Sequence, residues 1–406
     1  MSSPKRHKLL LLGTIVAYCL IGVEIVIMIS PFALYFYSIY GPVLDSLSAS
    51  PLTSWTTEFF LPHMVFTSDL LINAISYLQV LLVIGLVLFF SAALPLYYGR
   101  FTGHGVVKFS FYSKIRHPQY LFLAISGFGL LLYWPRFIIL VMYITMLFVY
   151  YALARNEEWR MKQEAGESYE RYMAQTPMFL PGEPGAKLYQ LLFGWIKPKW
   201  LGILATYLVT LAMAVMLAYG LRSYTVRQLP VVTISQSFTL APVFERPVAE
   251  VREVYEAISQ EPEVVAALAD KGGSNLAYLM PGDFFLTAVV TDEERRYSDE
   301  MIERFPEILE WNKRKFSGGL AKFLRIFYNF VKQLGKVEED YDIERFVFFQ
   351  VRDRQGQLVT DLELFAMGHQ RLPVLLVDVD ADFHEILSVV TLSNNHKWGK
   401  MPMPTF

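Results

Sequence analysis

The stretch KIRHPQYLFLAISGFGLLLYW (residues 114–134) sets Lys114, Arg116 and His117 beside a proline at the mouth of an apolar run. Whether that run crosses a bilayer decides the class of the whole chain. The next residues, Pro135 and Arg136, interrupt the apolar pattern before a second run begins at Phe137. A proline followed by a cation marks a turn. The pattern therefore predicts two antiparallel helices, 119–133 and 137–155, joined at 133–136.

Composition agrees with a membrane reading. Hydrophobic residues make up 54% of the 406 and charged residues 18%, too apolar for an ordinary soluble protein and too charged to lie wholly in lipid. Further runs of spanning length, roughly 17–25 residues, lie at 9–30, 71–97 and 201–221. The first follows Lys5, Arg6 and Lys8 and lacks a small-residue cleavage site, so it reads as a retained anchor. About five transmembrane helices are expected in all, in a membrane all-α domain over residues 1–221, followed by a soluble α+β domain over 222–406. The net charge of −2 speaks against a nucleic-acid partner. Cys19 is the only cysteine, which excludes an intrachain disulfide, and no Cys/His cluster has metal-ligand spacing.

Lysine and arginine placement predicts orientation. None occurs from Leu9 to Gly99, so the loop 31–70 is expected outside. Arg100, Lys108, Lys114 and Arg116 assign the next loop to the cytoplasm, the turn at 133–136 faces out, and the cation-rich 155–200 returns to the cytoplasm. Five crossings then leave 222–406 on the outer side.

In the C-terminal part, residues 245–268, 292–314 and 317–336 have helical spacing. RFVFFQV and LVTDLELFA flank RDRQGQ as a predicted β-hairpin, and RLPVLLVDVD and EILSVVTL read as strands. DVDADFHE (378–385) spaces three aspartates like a calcium loop, but Phe383 stands where such a loop needs glycine, so solvated carboxylates at a strand end are expected instead. Glu24 is an ionisable residue in mid-span, a costly placement that points to a task or to a partner helix.

The chemistry-bearing residues collect at the hairpin. At about 1.5 Å per residue its arms, His117 to Trp134 and Arg136 to Glu157, measure about 25 and 31 Å. An antiparallel pair of that size returns RNEEW (155–159) to the level of RHPQY (116–120). Each residue also has a plain reading. Pro118 suits the first turn of a helix, Arg116 and His117 suit a positive membrane face, and Tyr120 suits an aromatic belt. Glu157 and Glu158 would be poorly placed at a helix C-terminus. Either the helix runs on through WRMKQEAGESYERYM, or the pair has a role.

Together, SFYSKIRHPQYL and RNEEWRMKQEAGESYERYMAQTPMFLP resemble the integral-membrane methyltransferases, which include the isoprenylcysteine carboxyl methyltransferases and the phosphatidylethanolamine N-methyltransferases. Tyr112, Arg116, His117, Pro118 and Tyr120 match the first half of the family pattern. Arg155, Glu157, Glu158, Gly166, Tyr169, Tyr172, Pro177, Phe179 and Pro181 match the second. The resemblance covers about residues 70–200, with its core at 98–185. Phe122 replaces a usual glycine, and Ser110-Phe111 a usual Gly-Pro. Gly127 and Gly129 would let a neighbouring helix approach in compensation.

The resemblance implies S-adenosylmethionine held at the cytoplasmic edge of the membrane, with a bacterial inner membrane as the location. It implies cofactor contacts from His117, Tyr120, Glu157 and Arg155, and catalytic parts for Arg116 and Glu158. The acceptor would be a membrane lipid or a lipidated substrate, either the carboxylate of a prenylcysteine-like group or the amine of a phospholipid. The alternative expectation is a non-catalytic, membrane-anchored binding or sensor protein that keeps the fold.

Overall fold

The structure is a computed structural model, and it describes residues 41–62, 69–101, 110–243, 246–282, 343–360, 363–380 and 382–392. The expected first span with Glu24 and the helices expected at 292–314 and 317–336 lie outside the described residues. The described chain divides into two compact units: Leu71–Gly220, and residues 41–70 with 221–392.

Helix α1 (Gly41–Ser48) belongs to the second unit; in the first, the helical run Leu70–Leu96 is formed by α2 (Leu70–Tyr77), a short 3-10 turn and α3 (Leu81–Phe101). Then come α4 (Pro118–Tyr133), α5 (Phe137–Ala165), α6 (Glu167–Gln175), α7 (Pro184–Phe193) and α8 (Lys199–Arg227). Three of these stretches are long and apolar enough to cross a membrane: Leu70–Leu96, α5 and α8. Of the five expected spans, four fall on described residues, and three of these four are long and apolar enough to cross. The first arm of the hairpin, α4, is apolar but only 16 residues long.

Local chemistry fixes the hairpin. Pro118 opens α4 where its missing N–H has no helical partner to lose, and Pro135 ends it. Arg136, in the turn that joins the two arms, is fully buried, with its guanidinium 5.8 Å from the Trp134 ring centre. The second arm is longer than the predicted 137–155. It runs to Ala165 and stops at Gly166, whose φ of +52° favours glycine. Glu157 and Glu158 therefore sit two turns inside a helix, which removes the objection to carboxylates at its end.

Two glycines set the packing of α4 on its neighbour. A Cβ on Gly129 would lie 2.1 Å from the Leu82 backbone nitrogen, and one on Gly85 would lie 2.4 Å from that of Ser126. Side chains give way here to direct backbone approach, the arrangement that small residues permit between apolar helices. Ser126 donates to the Leu82 carbonyl at 3.1 Å across the same crossing. On the other side, α8 packs on α5 through Phe137–Tyr219 and Phe148–Tyr207 ring pairs.

The second unit holds β1 (Val232–Ser235), β2 (Phe238–Pro242), α9 (Val248–Ser259), α10 (Pro262–Asp270), β3 (Leu276–Pro281), β4 (Ile343–Arg352), β5 (Gln370–Asp380) and β6 (Ile386–Thr391). The six strands form one sheet in sequence order, antiparallel except for the β2–β3 pair, between which α9 and α10 form the crossover. Val251, Val254, Ile258 and Val264 cover one face, against Leu240, Leu279, Phe346 and Leu375. The single helix expected at 245–268 is broken because Pro262 drives Glu261 into an extended conformation.

The expected hairpin after β4 closes only next to its turn, and over its length β4 pairs with β5 instead. Across the turn at 353–357 the Val359 N–H donates to the Val351 carbonyl, and Leu358 pairs with Arg352 in an isolated bridge. The buried Asn275 then takes over: its amide donates to the carbonyls of Val351 and Val359, and its oxygen accepts the Val351 N–H. Of the aspartates of 378–385, Asp382 is exposed as expected, but Asp378 and Asp380 are engaged. Asp378 holds Arg345 and Ser388, while Asp380 accepts backbone N–H groups of Asp382 and Phe383.

Residues 41–62, expected as a loop of the membrane domain, belong to this second unit. The buried Glu58 accepts the Gly368 N–H at 2.6 Å and lies 4.0 Å from the buried Arg222, which donates to the Phe59 and Phe365 carbonyls.

The helix crossing gives a direct prediction. Gly129→Ala forces backbone apart and is expected to cost about 1–3 kcal/mol. Gly220→Ala, with nothing within 4 Å of its Cβ position, is expected to leave stability unchanged or slightly raised. Thermal unfolding of both variants in detergent checks the contrast.

Candidate functional site

Three segments build the site: the start of α4, one face of α5, and the chain that follows α6. The last of these, TPMFLP (176–181), runs back along the first. The Arg116 N–H donates to the Pro177 carbonyl at 3.0 Å and the His117 N–H to the Met178 carbonyl at 3.1 Å. Tyr172 reinforces the link by donating from its hydroxyl to the Tyr112 carbonyl at 2.6 Å. The two matched halves of the sequence are thereby bound together, across 60 residues of chain.

Arg116 is the most fully engaged side chain. Its Nε donates to Glu158 Oε1 at 2.7 Å, and its Nη1 donates to the carbonyls of Met173 and Thr176. Its Nη2 lies 3.7 Å from Glu183. The pair is enclosed, with side-chain exposures of 7% for Arg116 and 2% for Glu158. An enclosed ion pair holds only when other groups satisfy its remaining polar atoms, and the two carbonyls do that here.

The neighbouring carboxylate differs. Glu157 is 34% exposed and accepts the Tyr120 hydroxyl at 2.6 Å. Tyr120 stacks on Tyr150, ring centres 5.6 Å apart, among Met146, Leu153, Ala154 and Met178. Adjacent positions on a helix point about 100° apart, so the EE dipeptide aims one carboxylate into the protein and one toward its surface.

His117 lies between them. Nδ1 is 3.5 Å from Glu157 Oε2 and Nε2 is 3.6 Å from Glu158 Oε1, ion-pair distances at which neither nitrogen makes a hydrogen bond. The residue is 3% exposed. Burial lowers its pKa, but the two carboxylates more than reverse this and hold it above the ordinary 6.5. Burial and the charge of Glu158 push the Tyr169 hydroxyl well above its ordinary value, so that residue stays a neutral phenol.

The structure thus brings together Arg116, His117, Tyr120, Glu157 and Glu158. Arg155 stands at the edge, 60% exposed and 3.5 Å from Glu158 Oε2. Phe122 points away from this group. It packs with Ala92 and Tyr112, edge-on to Phe111 at 4.9 Å, and occupies the α3 side of α4 while Tyr120 occupies the α5 side. The replacement Ser110-Phe111 supplies that aromatic partner. Sequence reasoning missed Tyr150 and Glu183. Tyr150 was findable, since it precedes Glu157 by seven residues on one helix face, whereas Glu183 carries no local signal.

Comparison of the chain with family models, with curated proteins and with solved structures returns no match.

Two measurements probe this geometry. Glu158→Ala leaves Arg116 buried and uncompensated and is expected to cost about 3–5 kcal/mol, whereas Glu157→Gln, still able to accept from Tyr120, is expected to cost less than about 1 kcal/mol. Equal losses in thermal unfolding would contradict the division. For His117, a folded-state pKa above the unfolded one stabilises the protein fully below pH 6.5. That stabilisation is lost as pH rises through the folded value. Wild-type unfolding temperature is expected to fall across that window. His117→Gln is expected to flatten the slope, and an unchanged slope would assign it to other groups.

Proposed function

We propose that the chain is an integral-membrane enzyme that transfers a methyl group from S-adenosylmethionine to a lipid or lipid-linked acceptor at the membrane interface. The observation that carries this reading is the group itself: His117 enclosed between Glu157 and Glu158, beside the Tyr120–Glu157 contact, with Glu157 partly open to the surface. That half-open carboxylate is the part that suits a polar, cationic ligand, through charge-assisted hydrogen bonds.

The residues present fit the cofactor. Glu157, partly exposed, can accept from ribose hydroxyls or an ammonium through charge-assisted hydrogen bonds. The exposed Arg155 can pair with a carboxylate. Arg116, already engaged on three sides, is assigned a positioning part: with Glu158 it holds the 173–178 segment over His117. S-adenosylmethionine supplies an activated methyl on a sulfonium, so the protein need build no nucleophile of its own. What remains is to hold the reacting groups in line, which proximity makes worth several kcal/mol. With an amine acceptor His117 or Glu157 can take the proton; with a carboxylate acceptor no base is required.

We assign the site to the cytoplasmic side and the sheet unit to the outer side of a bacterial inner membrane. The support is the cation-rich 100–117 and 155–199 against a cation-free 9–99. In addition, Asp69, just before α2, accepts from Tyr224 near the end of α8 at 2.6 Å. The two helices thus enter and leave at one level.

Calorimetry on the purified protein tests the reading. The wild type is expected to bind S-adenosylmethionine. Glu157→Gln and Tyr120→Phe are each expected to weaken binding by about tenfold or more, the value of a hydrogen bond to a charged group, while Phe122→Leu leaves it unchanged. Absence of binding in the wild type would leave a membrane-anchored binding protein as the better description. Transfer of a labelled methyl in native membranes then identifies the acceptor.

A further inference from the structure

Between the site and α8 the chain forms α7, PGAKLYQLLF, none of whose residues is buried. Its apolar residues are nonetheless ordered. Leu188, Leu191, Leu192 and Trp195 recur at intervals of three and four and form one stripe, and they are 56%, 77%, 49% and 77% exposed. Tyr189 and Phe193 occupy a different face, where their rings lie 6.5 Å apart and the Tyr189 hydroxyl lies against Gly202 at the start of α8. So α7 is docked on the beginning of an apolar helix of spanning length with its leucine stripe left uncovered.

Charge identifies what covers that stripe. From Pro184 to Arg227 there is no acidic residue, while Lys187, Lys197 and Lys199 flank the stripe. Trp195 and Trp200, each exposed, add the amphipathic rings favoured at a membrane boundary. We infer that α7 lies in the plane of the membrane–water interface, its leucine stripe in the acyl boundary and its lysines on anionic phospholipid headgroups. A leucine stripe with lysines beside it and no carboxylate matches the chemistry of an in-plane interfacial helix. It is also continuous with the exposed Leu201, Ile203, Leu204 and Leu208 of α8.

The placement matters for the site. Glu183, directly before α7, accepts the Met178 N–H at 2.8 Å, and Met178 in turn accepts the His117 N–H. Docking of α7 on lipid thereby anchors the TPMFLP segment that closes over His117, whichever reaction that residue serves.

Site-directed nitroxides on the full chain test this without any methyl donor. In a Cys19→Ser background, Leu188→Cys, Leu191→Cys, Lys187→Cys and Gln190→Cys are labelled one at a time. The protein is placed in nanodiscs of phosphatidylcholine, with or without phosphatidylglycerol. The labels at 188 and 191 are expected to collide with oxygen and be shielded from an aqueous nickel chelate, with the reverse at Gln190. Phosphatidylglycerol is expected to raise the docked fraction, and Lys187→Gln, Lys197→Gln and Lys199→Gln each to lower the ratio of docked to undocked protein about fivefold, as expected for a lysine near an anionic surface. Equal nickel accessibility at all four positions would overturn the proposal. So would shielding from both reagents at 188 and 191, the signature of a second protein copy on the stripe. A docked fraction indifferent to phosphatidylglycerol would overturn its anionic part.

Discussion

The enclosed contact between Arg116 and Glu158 organises the membrane unit. It joins the start of α4 to the middle of α5, and through the Met173 and Thr176 carbonyls it fixes the segment after α6. A buried charge is tolerated only when its partner and its remaining donors are satisfied, so these three segments must assemble together or not at all. The half-exposed Glu157, the stacked Tyr120 and the enclosed His117 take their positions from that assembly. Glu158 is thus spent on architecture, and Glu157, one residue earlier, is the carboxylate still open to chemistry.

The second unit uses the same device for a different purpose. Glu58 and Arg222 come from distant parts of the chain, and each also binds backbone groups of a third segment. This cross-link explains why residues 41–62 fold with the sheet rather than with the helices they adjoin in sequence. Around it the sheet follows ordinary rules, with one parallel pair bridged by helices and antiparallel neighbours elsewhere.

Much of this was legible in the sequence where the signal is local and periodic. Pro118 and Pro135 bounded the hairpin, the arm lengths placed the EE pair near His117, and β5 and β6 announced themselves as apolar runs. What stayed hidden depended on long-range polar contacts. No spacing rule shows that Asn275 will claim Val351 and end a hairpin. Nor does one show that Glu183 reaches Met178, or that Glu158 turns inward while Glu157 does not. The exposure of α7 was also beyond reach, because a leucine-rich turn reads the same whether it packs on protein or on lipid.

The 16-residue length of α4 has a further consequence. At about 1.5 Å per residue it spans about 24 Å, short of the roughly 30 Å hydrocarbon core of a typical bilayer. In a bilayer, such an arm is accommodated when the leaflet thins around it or its interfacial residues reach outward, at fractions of a kcal/mol per Å of mismatch. Arg136, enclosed at the far end of that arm, is sheltered from the acyl chains that a thicker bilayer would bring to its level. Under the proposed membrane placement, acyl-chain length would become a mechanical variable for this protein, acting at the far end of α4, whose near end follows His117.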